Sequence, residues 1–413
     1  MVKKNLNKIS PLATKIAKRL LPIEGVSLYT YCANLYNKRR NDLSIFLFHD
    51  QSFIAEVFTK SSLRSATLDW NSKVLKGKEV EAIVVNAGNA NTFTGKQGED
   101  AIKKVVKIVA SQFKISEKKI FVASTGVIGE TFPTQKVISA IKKRKTPSRN
   151  WIDAARAIMT TDTYPKGISI KTSIENQKVT ITGIAKGSGM IEPNMATMLG
   201  FIFTDAALDQ GILQSLISKF IHNSFNSISV DGDESTNDTV MLTSTNAIKF
   251  KKKIKSINDS RLRKFKLDLE KIFSHLAEQI VRDGEGATKL IEINVKNAKS
   301  KISAKKISRS IANSPLLKTA IYGKDPNWGR VIMAIGKTYE KVKVDKLKIS
   351  FGNYLVAKNG LANSQINDRK LKTYLSRKKI NINIDLNLGK EQARILTCDF
   401  SHGYIDINAS YKT

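Results

Sequence analysis

Six stretches of this chain gather glycine, threonine and asparagine at the ends of β-branched runs: NAGNANTFTGKQGE (86–99), ASTGVIGE (123–130), TTDTYPKG (160–167), KGSGMIEPNMATML (186–199), DGDESTNDT (231–239) and RDGEGATK (282–289). Hydroxyl groups and closely approachable backbone N–H groups are the parts of a hydroxyl nucleophile and an oxyanion site. One such strand exit is an ordinary turn. Six of them, largely free of lysine in a chain with 69 Lys and Arg against 36 Asp and Glu, mark surfaces that did not become basic with the rest. Clustered in space they would line a polar pocket rich in backbone groups. The fourth is the most unusual, because KGSGMIEPNMATMLGFIFT carries after Lys186 a single charge, Glu192, and sets Thr197 in a run of Met and small residues.

Other chemistries fail on spacing. There is no G-x-x-x-x-G-K-[ST], so no P-loop, and GEGATK (284–289) lacks the third glycine of a dinucleotide turn. His49, His222, His275 and His402 have no metal-ligand spacing and share no motif with Cys32 or Cys398. VDGDESTNDTV (230–240) resembles a calcium loop only superficially: Gly232 comes too early, and Leu242 stands where a bidentate glutamate belongs. No metal and no prosthetic group is expected.

The elements that must position these exits alternate along the chain. EAIVVN (81–86), KIFVAS (119–124), KVTITGIA (178–185), TVMLTS (239–244) and KLIEINV (289–295) read as strands. Ile102, Val105, Val106 and Val109 recur at helical spacing, as do Leu213, Leu216, Ile217, Phe220 and Ile221, and Leu269, Ile272, Phe273, Leu276 and Ile280. An α/β or α+β protein follows. The charge-rich stretches 141–150 and 249–266 and the Lys- and Ser-rich stretch 296–310 read as linkers, the last as the boundary of a C-terminal lobe.

At 413 residues the chain should form more than one substructure. Two cysteines at opposite ends argue against a disulfide framework and for a reducing compartment, here the cytoplasm. No apolar run reaches the roughly 20 residues of a membrane helix, so no membrane is expected. The first 23 residues have six basic and no acidic side chains, faintly like a transit peptide, but the whole chain is equally short of acid. A net charge of +33 would ordinarily suggest nucleic acid. The basic clusters at 142–145, 249–255, 261–266 and 377–379 are scattered and lie in no recognition helix, zinc finger or aromatic-studded strand, and abundant Lys, Asn and Ile fit an A/T-biased genome. No specific nucleic-acid partner is expected.

The motifs together closely resemble those of the ornithine acetyltransferase family of arginine biosynthesis, also called glutamate N-acetyltransferases. The likeness rests on KGSGMIEPNMATMLGF, STGVIGE, DGDESTNDT, RDGEGATKL, YGKDPNWGR (322–330) and the closing INASYKT, and runs from about residue 80 to Thr413. It departs at the N-terminus, where LPIEGVSLYTYCANLYNKRRNDLSIFLF has lost most of the expected glycines. The resemblance implies a layered sandwich of sheets flanked by helices. It implies acetyl transfer from N-acetylornithine to glutamate, with acetyl-CoA as a further donor in some relatives. It also implies a precursor that cuts itself between Ala196 and Thr197 into an alpha chain, 1–196, and a beta chain, 197–413, which assemble as a heterotetramer of two alpha and two beta chains.

The residues agree with that logic. Ala196 is small enough for the Thr197 hydroxyl to reach its carbonyl, and the nearby glycines permit a bend. Cleavage would free the Thr197 α-amine, whose ordinary pKa of roughly 8 lets it serve its own hydroxyl as base. By resemblance Thr197 is the nucleophile, the Thr125 hydroxyl and Gly126 N–H form the oxyanion hole, and Thr160 or Thr161, Lys186, Thr197, Glu285, Asn408 and Thr413 bind substrate. Without the resemblance Thr197 would be a buried threonine in an apolar turn, Thr125 a helix cap, and Lys186 and Glu285 solvated charges. Two other readings stand beside the transferase: an N-terminal-nucleophile amidohydrolase, with water in place of glutamate, and a basic nucleic-acid-binding protein on an inactive scaffold.

Overall fold

A polar interruption, His49–Asp50–Gln51, divides the apolar runs SIFLF and FIAEVF, and it shapes the larger of the two units of the chain. A computed structural model describes residues 8–14, 16–36, 39–143, 145–192 and 198–410. One unit is built on residues 16–226 and 233–280, the other on 8–14, 227–232 and 281–410.

The larger unit contains, in chain order, β1 (Val26–Tyr31), β2 (Leu43–Phe58), α1 (Ala66–Val74), β3 (Glu79–Asn89), α2 (Gly95–Phe113), β4 (Ile120–Val127), α3 (Thr134–Lys142), α4 (Ile152–Ala157), β5 (Lys166–Ile174), β6 (Gln177–Lys186), β7 (Leu199–Ala206), α5 (Gln210–Ile221), β8 (Thr239–Ile248) and α6 (Arg263–Arg282). Among the described residues the strands form one eight-stranded sheet ordered β4-β3-β2-β8-β7-β6-β5, with β1 beside β2. The first half of β2 pairs with β3; after a register shift between Leu47 and Ser52 its second half pairs with β8. Strand β2 therefore belongs to both halves of a sheet that folds over on itself. Phe46, Phe48, Val85, Phe121 and Ala123 of one half pack with Ile184, Phe201, Phe203 and Met241 of the other. The Phe203 ring lies tilted against Phe46, 4.7 Å between centres, and edge-on to Trp151 at 5.1 Å.

Helices cover the outer faces. Ile102, Val105, Val106 and Val109 of α2 and Val137 and Ile141 of α3 cover the β1–β4 side. On the other side Ile272 and Leu276 of α6 lie against Gly183 of β6, and Phe273 packs on Phe220 and Phe225. The order helix, sheet, sheet, helix is the layered sandwich expected. The N-terminal stretch that has lost the expected glycines supplies β1 and the first part of β2, buried through Phe46 and Phe48.

One buried carboxyl ties these layers together. Asn71 of α1 donates to Glu56 Oε1 at 2.8 Å and to the Val122 carbonyl at 2.9 Å, and accepts the Val122 N–H at 2.9 Å. That clamp fixes β4 to α1 and β2. Burial pushes Glu56 up to about 8 against the opposing hydrogen bond from Asn71.

The second unit contains β9 (Leu290–Ala298), α7 (Lys301–Ala312), α8 (Pro315–Tyr322), α9 (Trp328–Gly336), β10 (Lys348–Phe351), β11 (Tyr354–Lys358), β12 (Leu361–Ala362), α10 (Asp368–Leu375), β13 (Lys379–Asp385), β14 (Glu391–Cys398) and α11 (His402–Ser410). Its sheet runs β12-β11-β10-β13-β9-β14 among the described residues. Ile291, Ile293 and Val295 of β9 meet Ile307 and Ile311 of α7 in its core. The stretch 296–310 is the end of β9 followed by most of α7, whose exposed residues include Lys301, Lys305 and Lys306.

Candidate active site

Five of the six glycine-, threonine- and asparagine-rich exits interlock within the larger unit. Thr92 donates to Asn237 Oδ1 at 2.7 Å, and the Asn237 amide donates to the carbonyls of Ala90 at 2.6 Å and Ser124 at 2.8 Å. The Ser124 hydroxyl donates to Asn86 Oδ1 at 2.6 Å, and the Asn86 amide donates to the Asn89 carbonyl at 2.9 Å. Side-chain amides hold the backbone carbonyls of Ala90, Ser124 and Asn89, and hydroxyls tie those amides in turn, as buried polar groups require. The result fixes the end of β4, where Thr125 and Gly126 leave the sheet. Gly126 has φ +131°, and a side chain there would strike the backbone of Gly88 and Asn89 on β3, so only glycine lets β3 and β4 run so close at this bulge.

Lys186, at the end of β6, donates from Nζ to Thr125 Oγ1 at 3.2 Å. These strands stand far apart in sheet order and meet because the sheet folds over. The ammonium occupies an acceptor lone pair of Thr125, so the threonine must aim its own proton elsewhere, ready to donate to a ligand oxygen. Gly187 donates its N–H to Asp162 Oδ1 at 2.8 Å, and Thr160 its N–H to Asp162 Oδ2 at 2.9 Å. The hydroxyls of Thr161 and Ser188 are hydrogen bonded at 2.6 Å. Thr125, Gly126, Thr160, Thr161 and Lys186 are thus brought together. Ala196 and Thr197 lie outside the described residues; Glu192 before them and Met198 after them are both buried.

In the second unit the sixth exit meets the C-terminal helix. Asn408 on α11 donates to Glu285 Oε2 at 2.9 Å. The helix lies close because position 286 is glycine, with φ +70°, and any side chain there would collide with the backbone of Gly403 and Tyr404. Asp399 accepts the N–H groups of Thr288 at 2.8 Å and Lys289 at 2.7 Å, fixing the loop that carries Glu285. Thr413 lies outside the described residues.

Sequence reasoning missed the support of this site. Asp162 and Lys166 form an ion pair at 2.5 Å with both side chains wholly buried, and neither was singled out. The available signal was a lysine four residues from an aspartate inside TTDTYPKG, a stretch otherwise free of basic residues. Burial alone would raise Asp162, but the ammoniums of Lys166 and Lys186 and the Gly187 N–H outweigh it and hold the carboxyl below the usual carboxylate range. Among the described residues no cluster of His, Cys, Asp or Glu could hold a metal ion, Cys32 and Cys398 are free, and no helix is long and apolar enough to cross a membrane.

Comparison with known proteins shows the family of the chain. The ArgJ family model matches residues 28–413. The arginine biosynthesis bifunctional protein ArgJ of Bradyrhizobium diazoefficiens is 43% identical over 98% of this chain and 99% of its own length. The chain belongs to the ArgJ family. It is an acyltransferase, as the motifs led us to expect, and the match extends well beyond residue 80 toward the N-terminus. ArgJ of Zymomonas mobilis is 43% identical over 98% of this chain and 99% of its length, and that of Caulobacter vibrioides 42% over 95% and 98%. Among solved structures, argJ from Bacillus halodurans is 36% identical, with a TM-score of 0.49, and covers 52% of this chain and all of its own. The ornithine acetyltransferase of Mycobacterium tuberculosis complexed with ornithine is 26% identical, with a TM-score of 0.40, over 45% of this chain and all of its own.

Proposed function

We propose that this ArgJ protein moves an acetyl group from N-acetyl-L-ornithine to L-glutamate through an acetyl ester on Thr197, after cutting itself between Ala196 and Thr197. The observation that carries the reading is the Lys186 ammonium at 3.2 Å from Oγ1 of Thr125, the residue just before Gly126. A hydroxyl polarised by a cation and next to a backbone N–H suits an oxygen that gains negative charge, and an ammonium suits a carboxylate.

In the first half-reaction the Thr197 hydroxyl attacks the acetyl carbonyl, its proton passing to the freed α-amine of the same residue. Thr125 and Gly126 hold the tetrahedral oxyanion. The C–N bond then breaks, the departing ornithine nitrogen takes that proton from the Thr197 α-ammonium, and ornithine leaves while the acetyl ester stays on Thr197. Glutamate enters and its neutral amine attacks the ester carbonyl through the same oxyanion hole; the proton it loses passes by way of the Thr197 α-amine to Thr197 Oγ as the ester C–O bond breaks, and N-acetylglutamate leaves. Both substrates carry an α-carboxylate, for Lys186, and Glu285, bonded to Asn408, suits an amine; Thr160 or Thr161 and Thr413 complete the pocket. Acetyl-CoA is a second candidate donor, consistent with the name bifunctional given to the relatives. The alpha chain, 1–196, and beta chain, 197–413, would stay associated, two of each, in the cytoplasm, with no cofactor.

Intact mass tests both claims. The protein should consist of fragments of 196 and 217 residues, the second being 413 less 196. N-acetylornithine alone should add one acetyl to the fragment beginning at Thr197, and glutamate should remove it. An uncut wild-type chain after long incubation would end the self-processing reading. A cut chain that takes up no acetyl would end the ester reading.

A further inference from the structure

Asp162 and Lys166 are an ion pair bonded into the candidate active site. Both side chains are fully buried. A buried ion pair contributes little stability that apolar side chains of the same volume would not, while losing one partner leaves an uncompensated charge. Here the pair sits among groups already placed in the site. Asp162 Oδ1 takes both Lys166 Nζ, at 2.5 Å, and the Gly187 N–H, at 2.8 Å. Lys166 Nζ also lies 4.9 Å from the centre of the Tyr164 ring, and the Tyr164 hydroxyl donates to the Gln279 carbonyl of α6 at 3.0 Å. The pair is therefore anchored to the helical layer and bonded to the residue that follows Lys186.

Lys186 immediately precedes Gly187, whose N–H is bonded to Asp162 at 2.8 Å, and the ammoniums of Lys166 and Lys186 both help to hold the Asp162 carboxyl below the usual carboxylate range. Lys166 satisfies that attraction directly, whereas Lys186 reaches Thr125. If Lys166 lost its charge, Asp162 would remain as a buried anion, and Lys186, next in the chain to the Gly187 N–H that Asp162 holds, is the cation we expect to neutralise it. The ammonium would then be drawn from Thr125 toward Asp162.

We propose that Lys166 is a positioning residue that occupies Asp162 and so leaves the Lys186 ammonium directed at Thr125 and the substrate carboxylate. The proposal rests on the transfer reading above, with Lys186 as the partner of the α-carboxylate. It implies that Lys166 and Asp162 matter unequally: the carboxylate without its lysine is harmful, and removal of both is much less so.

The test compares processed wild type, Lys166→Met and the double variant Asp162→Asn with Lys166→Met, with steady-state kinetics for N-acetylornithine and glutamate and thermal unfolding of each. In Lys166→Met the KM of both substrates should rise about tenfold or more, as for loss of a hydrogen bond to a charged group. The double variant should return both KM values to within about threefold of wild type, because no buried anion is left to capture Lys186. A pair that serves stability alone would shift the unfolding midpoint and leave the KM of the folded enzyme unchanged; that result overturns the proposal. So does a folded double variant whose KM values stay as high as those of Lys166→Met. Should Lys166→Met not fold or not process, Lys166→Gln, which keeps a hydrogen-bond donor to Asp162 but not the charge, takes its place: a KM rise of about tenfold that the double variant reverses supports the proposal, and KM values within about threefold of wild type in folded Lys166→Gln refute it. Failure of the transfer reading would show separately, as wild type that never carries acetyl on the Thr197 fragment.

Discussion

Replacing Glu56 by glutamine should stabilise the protein increasingly as pH rises. Glu56 is 4% exposed; its Oε1 accepts from Asn71 at 2.8 Å, and its Oε2 has no hydrogen-bond partner among the described residues. Burial lifts the carboxyl from an ordinary glutamate value of 4.5 to about 8 in the folded protein. In the unfolded chain it ionises near the ordinary value, so between the two the unfolded state releases a proton that the native state keeps. Stability from this group is fully present below pH 4.5 and is lost as pH rises to about 8. At about 1.4 kcal/mol per pH unit, the interval from 4.5 to about 8 is worth about 5 kcal/mol, of which about 3 is already lost by pH 7. Glutamine keeps the acceptor for Asn71 and has no proton to lose. Urea unfolding of wild type and Glu56→Gln near pH 5, 7 and 9 should therefore give curves that nearly coincide at the acid end and separate steadily toward the alkaline end. A constant difference across that range would mean that Glu56 is not protonated in the native protein, and the account of its burial would be wrong.

Thr125→Ala should lower the rate constants of Thr197 acetylation and of acetyl transfer to glutamate alike, by about a hundredfold or more, with little change in substrate affinity, and Thr125→Ser should restore most of the loss; rapid-quench mass spectrometry of each half-reaction measures this. A loss confined to KM would assign Thr125 to binding instead. Gly286→Ala should cost about 1–3 kcal/mol through backbone strain and free α11 from the Glu285 loop, seen as faster proteolysis near the C-terminus; an unchanged cleavage rate would contradict the close approach of Gly286 to Tyr404. Binding to DNA should be weak, sequence-independent and steeply lost with salt, as counterion release dictates for dispersed lysines. A tight complex with one sequence at physiological salt would favour the nucleic-acid reading.

Much of this protein was legible before any coordinates. The runs 81–86, 119–124, 178–185, 239–244 and 289–295 lie in β3, β4, β6, β8 and β9, and the helical spacings at 102–109, 213–221 and 269–280 are the buried faces of α2, α5 and α6. Period and residue type suffice there because each element buries one face. The site motifs were legible for a related reason: glycine at 126 and 286 is required by local backbone conformation and close approach, constraints written in single residues. What only the tertiary structure decided is which exits meet. The fold of the sheet at β2 sets Lys186 against Thr125, and nothing in the spacing of residues 125 and 186 reports it. Asn237 bracing Ser124 across 113 residues is of the same kind. The burial of Asp162, Lys166 and Glu56 was equally hidden, since a charged residue reads as exposed until its neighbours in space are known. Residue types determine what chemistry a chain can perform and which faces it must bury. The long-range closure of the sheet determines which of those groups share a low-dielectric interior, and it is there that a charge acquires a partner, a displaced pKa and a role.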